Sequence, residues 1–201
     1  MVIVESGGVM SAQPKSHLYF TLEEYFGLER TSERRFEYRN GEIVLMSGGS
    51  RQHGEISRNV IRHLANRLST SGCQVYGSDI AVIVPAAPPY RYPDTSVVCG
   101  EALFRDINGL DALINLTLLI EVLSPTSEAY DRGTKFEWYK SVLTFAEYLL
   151  IAHDRPHITQ RTKQPDGNWL ERAVNDPEAA LRLGSIACEL PLREIYEGVE
   201  F

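Results

Sequence analysis

The feature that most constrains the fold is a glutamate in the middle of an aliphatic run. Residues 118–123 read Leu-Leu-Ile-Glu-Val-Leu and are followed by Ser124-Pro125. Such a dense aliphatic run is typical of a strand buried on both faces, and the proline ends it because proline cannot continue a central ladder. A buried carboxylate is costly unless it is paired, protonated or bound to a metal. Glu121 therefore needs a partner from elsewhere in the chain.

A second acid enters another strand-like segment. Asp94 follows Pro93 and precedes residues 95–99, which are rich in β-branched side chains, and Lys135 comes shortly after Glu121. Two carboxylates on core strands with a lysine nearby fit a site where Mg²⁺ binds the acids and phosphate oxygens. The lysine then meets the phosphate or the attacking water. The alternative is a buried Glu121–Lys135 ion pair without a catalytic role, and the spacing alone leaves both readings open.

The composition is that of an ordinary globular protein. The 201 residues are 43% hydrophobic and 23% charged, enough for one domain with a sizeable core. We predict a loose arm over residues 1–16 and a single domain over residues 17–201. The net charge of −7 argues against a protein that coats nucleic acid electrostatically, although a nuclease whose acids bind cations remains compatible with it. We expect no membrane span, because no apolar run has the required length.

The cysteines give an expectation about the cellular compartment. Cys73, Cys99 and Cys188 lie far apart in sequence and form no CxxC pair. An odd count without metal-ligand spacing predicts reduced, structural thiols. Because no signal-peptide pattern is visible either, we expect a cytoplasmic protein.

Capping and turn signals locate the first elements. Thr21 and Glu24 have the spacing of a capping box, which predicts a short helix. Asn40-Gly41 lies between two strand-like runs and predicts a β-hairpin, because both central residues of a type I′ turn need positive φ. Glu37 lies on the first arm of this hairpin, where a solvated side chain is the default.

An amphipathic helix is predicted from His53 to Ser69. Apolar residues recur there at every fourth position, and the opposite side concentrates positive charge at Arg58 and Arg62. This side is either a solvated helix face or a face that contacts the backbone of a polyanion. His53, at the start of the helix, can cap it or point at a site.

The remaining segments complete a mixed fold. Residues 102–107 and 110–113 read as weakly helical or as a loop. Gly133-Thr134 begins a helix that runs to Lys140 and carries Lys135 and Tyr139 on one face. Strands are predicted over residues 73–76, 79–84, 145–151, 158–161 and 169–174, and a short helix over 190–196. Without a repeat or a linker, this order predicts an α/β or α+β fold with one central sheet.

Taken together, these residues resemble a known group of nucleases. Pro93-Asp94, Glu121 in an aliphatic strand and a nearby lysine are similar to the PD-(D/E)XK nuclease superfamily. The whole series resembles the Uma-type restriction endonuclease family over roughly residues 20–155. The series is Glu37 before Asn40-Gly41, His53, Pro93-Asp94, Glu121-Val122-Leu123-Ser124-Pro125, Asp131, Lys135 and Tyr139.

The resemblance implies a restriction-endonuclease-like fold, with a central mixed β-sheet flanked by helices and extra β-hairpins. It also implies hydrolysis of DNA phosphodiester bonds with Mg²⁺ or Mn²⁺. In that reading Asp94 and Glu121 are the metal ligands, Lys135 is the catalytic cation and Glu37 is an accessory acid. Candidate DNA contacts, or neighbours that support the ligands, are His53, Arg58, Arg62 and Tyr139. A homodimer is one option for the assembly.

One position departs from the superfamily pattern. The lysine expected two residues after the second acid is Leu123, so Lys135 on the following helix has to supply the ammonium group. The competing prediction is a nuclease-like protein that binds a partner or regulates DNA without cutting it, which the acidity and the missing lysine favour. A glycosidase that uses the two acids fits less well, because both acids lie on aliphatic strands.

Overall fold

A six-stranded mixed sheet organises the computed structural model, which describes residues 19–46 and 48–201. The arm predicted for residues 1–16 lies outside these residues. The sheet is built from β3 (Cys73–Gly77), β5 (Thr95–Cys99), β8 (Leu118–Val122), β9 (Glu147–Ile151), β10 (Ile158–Lys163) and β11 (Trp169–Val174). Its strand order is β11-β10-β9-β8-β5-β3, with β8 and β9 parallel and the other neighbours antiparallel. The predicted central mixed sheet is confirmed.

Smaller sheets surround this one. Two are hairpins and the third joins β4, β7 and β6 in that order. Their strands are β1 (Phe36–Arg39), β2 (Glu42–Leu45), β4 (Ala81–Val82), β6 (Phe104–Ile107), β7 (Leu110–Leu113), β12 (Ala180–Leu183) and β13 (Cys188–Pro191).

Two helices precede the central strands and short helical segments follow them. They are α1 (Leu22–Thr31), α2 (Arg51–Leu68), α3 (Glu128–Tyr130), a π-helical turn (Asp131–Lys135), α4 (Phe136–Tyr139), a 3₁₀ turn (Gly184–Ile186) and α5 (Leu192–Ile195). The segments α3, π-turn and α4 follow one another without a break and are called the 128–139 helix below. Within residues 19–46 and 48–201, every helix is too short or too polar to traverse a lipid bilayer.

The central sheet is buried on both faces, as its aliphatic strands predict. Along β8, Leu118, Ile120 and Val122 pack with the apolar stripe of α2, while Leu119 lies on the opposite face with Tyr139. Neighbouring side chains of a strand point to opposite faces, so Glu121 shares the face of Leu119. The sheet therefore directs Glu121 toward the 128–139 helix.

The strongest local signals are confirmed. Thr21 caps α1 and Glu24 returns the hydrogen bond of the capping box. Asn40 and Gly41 connect β1 and β2 with φ of 50° and 96°. Helix α2 covers nearly the predicted range and buries its predicted stripe, which consists of Ile56, Val60, Leu64 and Leu68.

Two assignments were wrong or misplaced. Residues 102–107 and 110–113 are not helical; β6 and β7 pair as a hairpin across Asn108 and Gly109, whose φ values are 55° and 85°. This Asn-Gly pair is the signal that finds the hairpin. The helix predicted from Gly133 begins earlier, at Glu128, so that Asp131 belongs to it. The short helix predicted over residues 190–196 is confirmed as α5, which begins directly after β13 ends at Pro191.

The prediction of three reduced thiols was also wrong. Cys73 and Cys99 are directly opposite each other on antiparallel β3 and β5, with Cα atoms 3.9 Å apart, and form a disulfide. Cys188 is a buried free thiol. A cross-strand contact between residues 26 apart in sequence is not visible in cysteine spacing. The cysteines therefore no longer argue for a reducing compartment.

The packing of α2 against the sheet predicts that substitutions on its buried side destabilise the fold much more than substitutions on its exposed side. Leu64 is fully buried, and Leu64→Ala should lower the free energy of unfolding by about 3–5 kcal/mol through lost burial and a residual cavity. Arg58 is exposed, and Arg58→Ala on the same helix should change it by less than about 0.5 kcal/mol. Denaturant unfolding measures both, and similar losses for the two variants would contradict this packing.

Candidate active site

Asp94 and Glu121 meet at one end of the central sheet. Antiparallel β5 and β8 pair Thr95 with Ile120, so Asp94 lies beside Glu121 one position further along. The Val122 amide donates to Asp94 Oδ2 at 2.7 Å, and the Asp94 amide donates to Glu121 Oε2 at 3.4 Å. The backbone of each strand thus holds the carboxylate of the other, and the two acids converge.

Lys135 reaches the same point from the 128–139 helix. Its Nζ lies 2.7 Å from Glu121 Oε1 and 3.4 Å from Asp131 Oδ1. Tyr139, one turn further along, donates its hydroxyl to Glu121 Oε1 at 3.3 Å. Asp131 and Lys135 are the first and last residues of the π-turn, a local widening that often occurs at functional sites. The helix therefore places an ammonium group among the acids. A lysine from another segment is needed for this, because Leu123 stands where the superfamily pattern has its lysine.

These buried charges shift one another's pKa values. Burial raises the pKa of Glu121 well above its usual range, the negative charges of Asp131 and Asp94 add to this, and Lys135 opposes it. Burial by itself would lower the pKa of Lys135, but Glu121, Glu37 and Asp131 outweigh burial and raise it well above its usual value. Carboxylates outnumber ammonium groups at this point, and their negative charge adds to the effect of burial on the pKa of Glu121 and causes the rise in the pKa of Lys135.

Glu37 is a buried member of the cluster rather than a solvated strand residue. It is 2% exposed, and Arg39 donates to its Oε2 from Nη2 at 2.8 Å and from Nε at 3.1 Å. Burial would raise the pKa of Glu37, but the positive charges of Lys135, Arg39 and Arg91 outweigh it and lower the pKa. Glu37 thus remains an anion beside Lys135.

His53 connects α2 to the acids. Its Nε2 lies 3.2 Å from Asp94 Oδ2, while Ser50, not His53, caps the helix. Burial would lower the pKa of His53, but the hydrogen bond and charge of Asp94, with the charge of Asp131, outweigh it and raise the pKa. Of the two roles left open for His53, the structure favours a side chain that points at the site.

A cavity of about 720 Å³ opens onto Asp94 and His53. Its walls are residues 33–35, the end of β2 and the loop after it, the turn after β3, and the side of α2 that carries His53, Gly54, Ser57 and Ile61. Arg58 and Arg62 lie outside this lining, and Arg62 pairs with Glu197 near the end of the chain. The structure therefore brings Asp94, Glu121, Lys135, Glu37, His53 and Tyr139 together and leaves the two arginines apart.

Sequence reasoning gave no role to two charged neighbours. Arg91 is fully buried and lies over the Trp138 ring at 4.9 Å, and within the described residues its Nε and Nη2 have no hydrogen-bond partner. Asp131 stood in the family series, and its spacing of four from Lys135 is the signal for their ion pair. Arg91 carries no such signal, because an arginine three residues before Asp94 normally lies at the surface.

The donor set suits a hard cation that keeps part of its water. Within residues 19–46 and 48–201, no group of three His, Cys, Asp or Glu side chains is arranged to hold a metal ion. Asp94 and Glu121 nevertheless converge, and the only hydrogen bond to Glu121 Oε2 among the described residues is the 3.4 Å one from Asp94. Mg²⁺ usually binds one or two carboxylates and completes its shell with water and phosphate oxygens. Two carboxylates fit that need.

The buried Lys135 ion pair predicts a large cost when one partner is removed. Lys135→Met should lower the free energy of unfolding by about 3–5 kcal/mol, because it leaves Glu121 and Asp131 buried without a cation. The matched control is Lys140→Met, which removes a more exposed pair with Glu137 and should cost less than about 1 kcal/mol. Chemical denaturation compares the two, and equal losses would show that Lys135 does not neutralise the acids.

The His53–Asp94 pair predicts a pH-dependent stability. Since the folded-state pKa of His53 lies above 6.5, the pair stabilises the fold fully below pH 6.5 and loses this effect as pH rises through the folded pKa. The stability difference between wild type and His53→Gln should therefore be larger at about pH 6 than at about pH 9. Denaturant unfolding at both pH values measures it. In an Asp94→Asn background the pH dependence should disappear, and its persistence would assign it to another group.

Comparisons with known proteins agree with this architecture. Residues 22–192 match the family described as "Uma2: Putative restriction endonuclease". The uncharacterized protein slr1290 of Synechocystis sp. is 34% identical over 179 residues, which cover 89% of this chain and 92% of that protein. A second Synechocystis protein, sll1609, is 30% identical over 150 residues, covering 75% and 84%.

A solved structure shows the same fold. It is described as a putative nuclease belonging to DUF820 from Anabaena variabilis and superposes with a TM-score of 0.72 at 18% identity, covering 90% of this chain and 99% of that one. The resemblance noted from the residues is thus confirmed at the level of the family and the fold. The chain belongs to the Uma2 family of restriction-endonuclease-like proteins.

Proposed function

We propose that the protein is a metal-dependent DNA endonuclease that hydrolyses phosphodiester bonds. The observation that carries this proposal is the convergence of Asp94, Glu121 and Lys135 at one end of the sheet, with Lys135 Nζ 2.7 Å from Glu121 Oε1. This is the residue set of a PD-(D/E)XK site, with the lysine supplied by the 128–139 helix. Membership of a family described as restriction endonucleases supports the same reaction class.

Asp94 and Glu121 would hold Mg²⁺ or Mn²⁺. A cation held by these two carboxylates would act as a Lewis acid toward the phosphate oxygens and would lower the pKa of a bound water. The excess of carboxylates favours this cation, because another positive charge offsets both the burial and the repulsion from Asp131 and Asp94 that raise the pKa of Glu121.

The chain's own cations position and stabilise the substrate. The Lys135 ammonium has three N–H donors, and Glu121 and Asp131 occupy two of them. The third can donate to a phosphate oxygen as negative charge develops on it. Glu37 keeps the ammonium charged, Tyr139 orients the Glu121 carboxylate, and His53 holds Asp94 from the cavity side.

A non-catalytic function in DNA binding or regulation is the second candidate. The observation that favours it is the closed Lys135–Glu121 ion pair together with the lack, among the described residues, of a group of three metal-ligating side chains. Such a protein would keep the fold and the ion pair but would have no use for a cation.

Metal binding and cleavage separate the two candidates. Mn²⁺ at about one hundred times its Kd should raise the free energy of unfolding of the wild type by about 2.7 kcal/mol, because the folded state binds it. Asp94→Asn and Glu121→Gln should abolish both this increase and the cleavage of mixed DNA substrates. Thermal unfolding with and without Mn²⁺ and gel-based cleavage assays measure the two effects.

The matched control is Asp79→Asn. Asp79 lines the same cavity and pairs with Arg35, so its loss removes an acid without touching the proposed ligands. It should leave the metal-induced shift intact. A wild type that neither gains stability with Mn²⁺ nor cleaves DNA would refute the nuclease proposal and support the non-catalytic candidate.

A further inference from the structure

The acid cluster can be approached from solvent through the cavity of about 720 Å³ described above. Asp94 and His53 line this cavity, and their side chains are 20% and 21% exposed. Glu121 and Lys135 lie behind them, at 4% and 7%. A phosphate group that reaches the cluster by this route must therefore enter the cavity and meet Asp94 first.

The size of this cavity suits a single nucleotide better than an intact duplex. A volume of about 720 Å³ falls within the range of pockets for small ligands, about 300–1,000 Å³. Duplex DNA is instead read by a protruding helix or ribbon that enters a groove about 12 Å wide. A cavity of this volume has room for a nucleotide that has left the stack, whereas a base-paired nucleotide must first unpair and unstack to enter it.

The charge on the neighbouring surface also argues against binding of an intact duplex. Duplex binding relies on rows of lysine and arginine that neutralise phosphates. Three of the four arginines on α2 already pair with acids: Arg51 with Glu55, Arg62 with Glu197 and Arg67 with Glu194. Among the described residues only Arg58 of this helix has no acidic partner, so α2 presents no row of unpaired cations. Arg34, on the cavity wall, forms no ion pair with any residue in 19–46 and 48–201.

The cavity wall also carries groups that suit an exposed nucleotide. Met46 and Ile61 give it an apolar side, which can cover the face of an unstacked base. The hydroxyl of Ser57 is buried on the same wall, and it makes no hydrogen bond to any of the described residues. Buried polar atoms are normally paired, so this hydroxyl marks a position on the wall where a hydrogen bond from a ligand would be favoured.

We propose that this cavity receives one unpaired nucleotide, so that the substrate class is single-stranded or frayed DNA rather than intact duplex. The proposal rests on the nuclease function above and adds the state of the DNA strand that the site accepts. The phosphate of the unpaired nucleotide lies beside His53 and beside the position of the cation that Asp94 would hold. Its base lies along Met46 and Ile61, and Arg34 and Ser57 supply polar contacts.

Two glycines give a matched test of this assignment. Gly54 lies on the cavity side of α2 and Gly27 lies within α1 outside the cavity, and a Cβ added at either position meets nothing within 4 Å. Both sites are helical, so leucine improves helix propensity at each. Gly54→Leu narrows the cavity, whereas Gly27→Leu makes the same chemical change elsewhere.

The experiment compares one labelled oligonucleotide as a single strand and as a duplex. Cleavage is followed with the full chain and Mn²⁺, and binding by fluorescence anisotropy in a Glu121→Gln background. We expect the single strand to bind and react at least about tenfold better than the duplex. Gly54→Leu should lower single-strand binding and cleavage by about tenfold, and Gly27→Leu should leave both unchanged.

The outcomes distinguish this inference from the function on which it rests. A duplex bound and cut as well as the single strand would overturn the inference while leaving the nuclease in place. Equal single-strand binding and cleavage by Gly54→Leu and Gly27→Leu would also overturn the inference. If neither substrate is cut, but the single strand is bound selectively and Gly54→Leu abolishes this binding, the nuclease proposal fails and the cavity assignment stands.

Discussion

The ion pair between Lys135 and Glu121 is the interaction on which the rest of the site depends. A carboxylate in the centre of a buried strand needs compensation, and the 2.7 Å contact with an ammonium provides it. The helix that carries the ammonium must then pack directly over β8, with Asp131 and Tyr139 one turn to either side. The position of the 128–139 helix thus follows from one buried charge.

Lys135 neutralises only part of the negative charge around Glu121, and the remaining charge makes the site suitable for a bound cation. One lysine faces Glu121 and Asp131, with Glu37 close enough to raise its pKa and Asp94 close enough to raise that of Glu121. A purely structural ion pair would need only one acid. The surplus of negative charge favours an additional cation, and the two carboxylates that converge at the strand ends are the groups that could bind it.

The fold also separates the two roles of helix α2. Its apolar stripe packs against the sheet, and two of its exposed arginines, Arg62 and Arg67, pair with acids near the end of the chain, so most of the helix is structural. Its first turns instead line the cavity, where His53 meets Asp94. Access to the acids by this route is therefore controlled by the same helix that completes the core.

The sequence by itself determined the local elements whose signals are short. Asn40-Gly41 requires positive φ, the stripe of α2 has helical period, and the aliphatic run around Glu121 predicts a buried strand. It also named the acids and the lysine that the structure brings together. Only the tertiary structure decided which face of β8 carries Glu121, that Cys73 lies opposite Cys99, and that Glu37 and Arg91 are buried in the cluster. These outcomes depend on strand pairing and helix packing between distant segments, and local spacing carries no information about them.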